Sequence, residues 1–279
     1  MRYEGYNGLT IAAERGVAFV TIDHPPINLL DLTLIADLDR VSRELEADPA
    51  VKVVVLQSAN PDFFVAHTDV TLIQQMPPEL PPRVEKLGVF HAMVDRFRTM
   101  PKATIAKIEG RCRGGGSELA LSCDMRFAAL GTAVLGQPEV GVGIIPGGSG
   151  CVRLPRLVGR GRALEIILGC GDFSADMAER YGYVNRALAP EEITAFVNTL
   201  AYRIATFPAE AITLAKEAVA MADTGIEDAL VREEQLFLHA AHTDGARQRM
   251  AAAMANGLQT AAMEMRCLDD IWGPLAEGR

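Results

Sequence analysis

The sequence predicts an α/β fold followed by a helical region, and three observations carry that expectation. Compact β-branched runs, of which residues 51–56 are the clearest, alternate with segments of helical apolar spacing. Strand signals nearly vanish beyond Tyr183-Val184-Asn185, and alanine-rich helical patterns fill residues 191–270. The 279 residues are 49% hydrophobic and 23% charged, ordinary globular values with enough apolar material for a sizeable core. Strand-then-helix repetition of this kind puts helices outside a sheet.

The elements follow in order. Residues 9–13 and 17–22 flank a short Glu14-Arg15-Gly16 turn and read as a hairpin, which His24-Pro25-Pro26 ends. Leu34, Ile35, Leu38, Val41 and Leu45 recur at helical spacing and predict a helix over 33–47, closed by Asp48-Pro49. The run 51–56 then reads as a strand buried on both faces. Residues 74–82 are proline-rich and loop-like. A helix over about 82–100 follows, with Val84, Leu87, Phe90, Val94 and Phe97 on one face. Residues 104–108 and 125–129 are further strands. A soft boundary near 200 separates a core, 1–200, from a helical region, 201–279, whose alanine- and methionine-rich surface suits oligomer packing.

Bulk composition narrows the function. A net charge of −9 lacks the basic footprint that nucleic-acid binding needs. Five cysteines without a Cys-x-x-Cys pair suit free thiols in a reducing compartment, and no metal site is expected. Neither a signal-peptide core nor an uncharged apolar run of spanning length is visible, so the expectation is a soluble, cytoplasmic protein with no membrane partner.

The chemistry concentrates in Gly114-Gly115-Gly116-Ser117-Glu118, where a strand gives way to a helix. Glycines let a ligand approach the main chain, and the first N–H groups of a helix point outward unpaired. They suit an oxygen gaining negative charge. Glu118 falls in the first helical turn, where the dipole favours its ionised form and suits a base. Twenty-one residues on, Glu139 follows Gly136-Gln137-Pro138 and precedes an apolar, glycine-rich stretch that would raise its pKa and keep a proton available. Taken singly, the triplet is helix packing and each glutamate a surface residue. Together they predict an enzyme that forms and quenches an enolate, with the two carboxyls as base and acid. The triplet fits neither a dinucleotide fingerprint nor a phosphate loop.

These residues resemble a known family. The segments 114–120, 136–139, 143–148 and 153–159, in that order, look like the crotonase (enoyl-CoA hydratase/isomerase) superfamily, with Phe64-Val65-Ala66-His67-Thr68-Asp69 in the place of its Phe-x-Ala-Gly-x-Asp segment. The resemblance implies a spiral of ββα turns carrying the acyl-CoA site and a helical region that assembles trimers, often paired into hexamers. It implies an acyl-CoA thioester substrate and no cofactor beyond the coenzyme A of that substrate. It also implies an oxyanion hole from the N–H groups of Ala66 and Gly115, with His67, Thr68 and Asp69 beside the substrate. By the hydratase pattern, Glu118 activates the water that attacks the β-carbon and Glu139 protonates the α-carbon. Double-bond isomerisation or another crotonase reaction is the alternative chemistry, and a catalytically weak acyl-CoA or partner-binding relative is the alternative outside enzymology.

The chain departs from the pattern in places. His67 stands where the family usually has glycine, and would contact the thioester or pantetheine, narrow the pocket, or serve only as a hydrogen-bonded loop histidine. Thr71 replaces a common lysine, residues 24–30 lack a basic residue, and Arg111 and Arg113 are the candidates to compensate in holding CoA.

Overall fold

The computed structural model describes residues 3–80, 84–268 and 270–271. Strands β1 (Leu9–Glu14) and β2 (Val17–Ile22) form the expected hairpin, and helix α1 (Leu32–Ala47) follows, capped by Asp31, which accepts the Leu34 N–H at 2.8 Å. Its buried stripe contains all five apolar residues picked out by spacing. Next come β3 (Val53–Ser58), β4 (Phe63–Val65), α2 (Val70–Gln74) and α3 (Val89–Thr99). Strands β5 (Ala103–Ile108) and β6 (Arg111–Arg113) lead into α4 (Gly115–Leu121). Then β7 (Met125–Ala129), β8 (Val134–Gly136) and a 3-10 turn (Glu139–Val142) lead to α5 (Gly150–Val158) and α6 (Arg160–Gly169). The chain continues through β9 (Phe173–Ser174), α7 (Ala175–Tyr181), β10 (Arg186–Leu188), α8 (Pro190–Ala205), α9 (Ala209–Ala220), α10 (Ile226–Ala241), α11 (Asp244–Ala255) and α12 (Ala261–Glu264).

The strands form two sheets. One runs β1-β2-β3-β5-β7-β10, parallel except for β1, and the other runs β4-β6-β8-β9. Each of β3-β4, β5-β6 and β7-β8 gives a longer strand to the first sheet and a short one to the second, so the chain winds as a spiral. All six residues of β5 are buried, as a strand covered on both faces requires. The short strands of the second sheet were not anticipated, because two or three residues are too few to show a period. Helix α3 starts at Val89 rather than near 82, with the Gly88 N–H held by Glu234 at 2.9 Å; residues 81–83 lie outside the described residues. Strand β10 also follows Asn185 directly, beyond the last expected strand signal.

The boundary expected near 200 falls within α8, which packs against β2, β3, β5 and β7. The helical region begins after it, and residues 269 and 272–279 lie outside the described residues. Among the described residues, no helix is long and apolar enough to cross a membrane.

Candidate active site

The site sits where the spiral's short strands end. Strand β6 delivers Gly114, at φ 50°, to the start of α4, and the Gly114 N–H donates to the Gly136 carbonyl of β8 at 3.0 Å. One backbone bond therefore ties the glycine triplet to the segment carrying Glu139. Both glutamates line a cavity of about 280 Å³, with Val70, Ile73, Phe90, Val142, Ile144 and Phe237 among its apolar walls.

Glu118 is buried, and its Oε1 accepts the N–H groups of Gly148 and Gly150 at 2.7 and 2.9 Å. Burial pushes its carboxyl up to about 7, against the pull of those two amides. The helix dipole alone led to the expectation of a favoured carboxylate, but enclosure outweighs it. Glu139 is held well above the ordinary carboxyl value, first by burial and then by the charge of Glu118. The Gln137 amide, with its nitrogen toward Glu139, lies 3.0 Å from both carboxyl oxygens and accepts from Ser117 Oγ at 3.2 Å. Ser117 in turn bonds the Tyr183 hydroxyl. Two backbone amides thus favour the ionised form of Glu118, while the charge of Glu118 disfavours that of Glu139, the asymmetry expected of a base and an acid.

The anion-hole expectation needs one correction. The Ala66 N–H donates to the Ile27 carbonyl at 3.2 Å, and Ala66 does not line the cavity. Two residues on, Thr68 lies in a parallel bridge with Leu30, closed by Leu30 N–H to His67 O at 2.9 Å and Asp69 N–H to Leu30 O at 3.0 Å. That pairing uses the backbone on either side of Thr68 and leaves its own N–H without a partner among the described residues. Thr68 and Gly115 face each other closely, since a Cβ on Gly115 would come within 2.1 Å of Thr68 Oγ1. Alternation of amide direction along an extended loop decides which N–H is free, and the segment's composition does not reveal it.

Asp69 is also corrected, because it caps α2 through the Thr71 N–H at 2.9 Å and accepts from Gln259 at 2.9 Å, away from the cavity. His67 does line the cavity, yet its ring is fully engaged. Nδ1 lies 2.8 Å from the Thr68 carbonyl and Nε2 lies 3.1 Å from Glu264 Oε1. Both partners only accept, so the ring is held as an imidazolium. Burial opposes that charge, but Glu264 outweighs it and raises the His67 pKa. Arg113 does not stand free to meet CoA, because it donates to Asp172 at 2.8 Å and to the carbonyls of Glu264 and Arg266. Arg111 is likewise drawn to the Met265 carbonyl at 2.7 Å. Sequence reasoning gave no role to Gln137, Glu233, His91 or Glu264, and the last three come from helices with no local mark of function.

Comparison with known proteins shows what the chain is similar to as a whole. The model of the enoyl-CoA hydratase/isomerase family matches residues 12–257. A short-chain-enoyl-CoA hydratase of Clostridium acetobutylicum is 34% identical over 251 residues, covering 88% of this chain and 94% of the relative. A crotonyl-CoA hydratase of Syntrophomonas wolfei is 34% identical over 215 residues, covering 76% and 81%. A crystal structure from Streptomyces avermitilis, provisionally described as an enoyl-CoA hydratase, superposes with a TM-score of 0.87 at 36% identity, covering 98% of this chain and all of that one.

Proposed function

The chain belongs to the enoyl-CoA hydratase/isomerase family, and from that premise we propose that it adds water across the double bond of a 2-enoyl-CoA to give the 3-hydroxyacyl-CoA. The observation that carries this reading is the convergence of two buried carboxyls in unlike surroundings on one apolar cavity, Glu118 held by two backbone amides and Glu139 beside the Gln137 amide. The thioester oxygen lies between the Thr68 and Gly115 N–H groups. Glu118, ionised, takes a proton from water as the water oxygen bonds to the β-carbon. The π electrons move onto the thioester oxygen, where one well-placed donor contributes about 3–4 kcal/mol. The enolate then collapses, and its α-carbon takes the proton of Glu139. Two carboxyls suit hydration, since double-bond migration needs only one carboxylate to carry a proton from α to γ.

The acyl chain enters among Val70, Ile73, Val142 and Ile144. A homotrimer, or trimers paired into a hexamer, follows from the family. Its support here is α9, which buries none of its residues within the chain and exposes Leu214 and Val219. The test is loss of the enoyl-thioester absorbance over a panel from crotonyl-CoA to long-chain and aryl enoyl-CoA. Incorporation of ¹⁸O from labelled water separates hydration from isomerisation. Rapid loss that disappears in Glu139→Gln is expected, and no turnover across the panel despite acyl-CoA binding would overturn the proposal.

A further inference from the structure

Beneath Glu118 lies a third carboxyl that the mechanism above does not use. Glu233, on α10, is buried, and its Oε1 accepts the Val152 N–H of α5 at 2.8 Å. Gly150, at the start of that same helix, donates to Glu118. Ser149, the residue before α5, has a φ of 96°, in the left-handed region that non-glycine residues rarely adopt. Around this turn the amides of Gly148 and Gly150 serve Glu118, while that of Val152 serves Glu233. One helix N-terminus is therefore shared by two carboxyls. Its dipole amounts to about half a positive charge, too little to hold two full negative charges in a buried setting.

The surroundings of Glu233 match its neutral form. Its Oε2 has no hydrogen-bond partner among the described residues, and it faces His91 Nε2, also without one, at 3.8 Å. In the tautomer that turns the ring proton toward the nearer carboxylate, Glu234 Oε2 at 3.5 Å from Nδ1, His91 Nε2 is bare. Burial pushes His91 down to about 4, so the ring is neutral at working pH. A bare nitrogen suits an O–H on Glu233 and repels a carboxylate. Burial, then the charge of Glu118, pushes Glu233 up to about 8. The other groups facing it are Glu118 on α4, Glu139 in the 3-10 turn, and Cys151 and Arg153 on α5. The Cys151 thiol is pushed up by burial and stays neutral. Arg153 favours a charged Glu233, but its Nε and Nη2 are tied to Ser149 and Asp95.

We propose that Glu233 is a positioning residue that must remain a neutral acid for turnover: neutral, it leaves the α5 N-terminus to the Glu118 carboxylate, and its ionisation at alkaline pH shuts the site down. On ionising it releases its proton to solvent and sets a negative charge beside Glu118, Glu139 and the forming enolate. The inference rests on the reading of Glu118 as the base. Glu233→Gln mimics the neutral acid and still accepts the Val152 N–H. Its kcat and kcat/KM profiles, each scaled to its own maximum, are expected to carry an alkaline limb at least about one pH unit above that of the wild type. Superimposable limbs would overturn the proposal. A second reading needs no turnover and no folded Glu233 variant. In the wild type, infrared difference spectra should show loss of a buried carboxylic-acid C=O band near pH 8, and Glu118→Gln should move that loss to lower pH. A midpoint unmoved by Glu118→Gln would overturn the coupling. Wild-type turnover in Glu118→Gln would instead overturn the base assignment and leave the infrared result standing.

Discussion

Two adjoining parts of the cavity wall hold buried charge in opposite ways. Glu118, Glu139 and Glu233 are carboxyls gathered together, served by backbone amides and by Gln137, and each is raised above the ordinary carboxyl range. Beside them His67, Glu264, Arg113 and Asp172 alternate in sign, His67 raised and Glu264 lowered. The two clusters nearly touch, since a Cβ on Gly114 would lie 3.1 Å from both Glu139 Oε1 and His67 Cβ. The paired cluster ties the loop carrying Thr68 to the segment around α12. The crowded cluster stays frustrated, and that frustration keeps its carboxyls protonated longer than free ones. Burial alone therefore does not mark a catalytic group, and the sign of its neighbours decides whether it clamps or reacts.

The largest test of this contrast is on turnover. Glu118→Gln and Glu139→Gln should each lower kcat by about 10³-fold, within the range for lost general acid–base catalysis, whereas Glu264→Gln should act mainly on stability and KM. Steady-state kinetics on the three variants checks the division, and it breaks if Glu264→Gln matches the other two in kcat.

The next effect is geometric. Gly115→Ala places a Cβ within 2.1 Å of Thr68 Oγ1 and should move Gly115 and Thr68 apart, which on the proposed mechanism costs about 100-fold in kcat. Adding Thr68→Ala removes the clashing oxygen and should restore part of the loss. No recovery would mean that Leu30, 3.1 Å from the same point, dominates the clash.

Stability should move in opposite directions in the two clusters. Removing one partner from a buried ion pair costs about 3–5 kcal/mol, so Glu264→Gln should melt well below the wild type. The sign follows from linkage. The raised His67 contributes stability fully below its unfolded value of about 6.5 and loses it as pH rises through its folded value. The lowered Glu264 contributes fully above its unfolded value of about 4.3 and loses it as pH falls through its folded value. The Glu264→Gln deficit should therefore be greatest between about pH 4.3 and 6.5.

The smallest effect has the opposite sign. Glu118 is raised, so the native state holds its proton longer than the unfolded chain and stability falls as pH rises from about 4.3 toward 7. Glu118→Gln removes that slope and should melt a few degrees above the wild type at pH 8, with the gap closing toward pH 4.5. Calorimetry of both variants across pH reads the two signs together, and equal signs would erase the distinction between clamp and reactive cluster.

Much of this protein is determined by local sequence. The hairpin, α1, β3, β5, the glycine turn into α4 and β7 each carry their own period, cap or breaker, and the ordered motifs name the family and point to Glu118 and Glu139. What only the tertiary structure decided lies in contacts across long separations. The amide left free at Thr68 and not at Ala66 depends on pairing with residues 27–30. The meeting of His67 with Glu264 spans 197 positions. Glu233 reaches the Glu118 site from a helix whose own pattern shows only an amphipathic surface. Periodicity records which face of an element is buried, whereas these placements depend on which other element supplies the burial, and no local pattern encodes that.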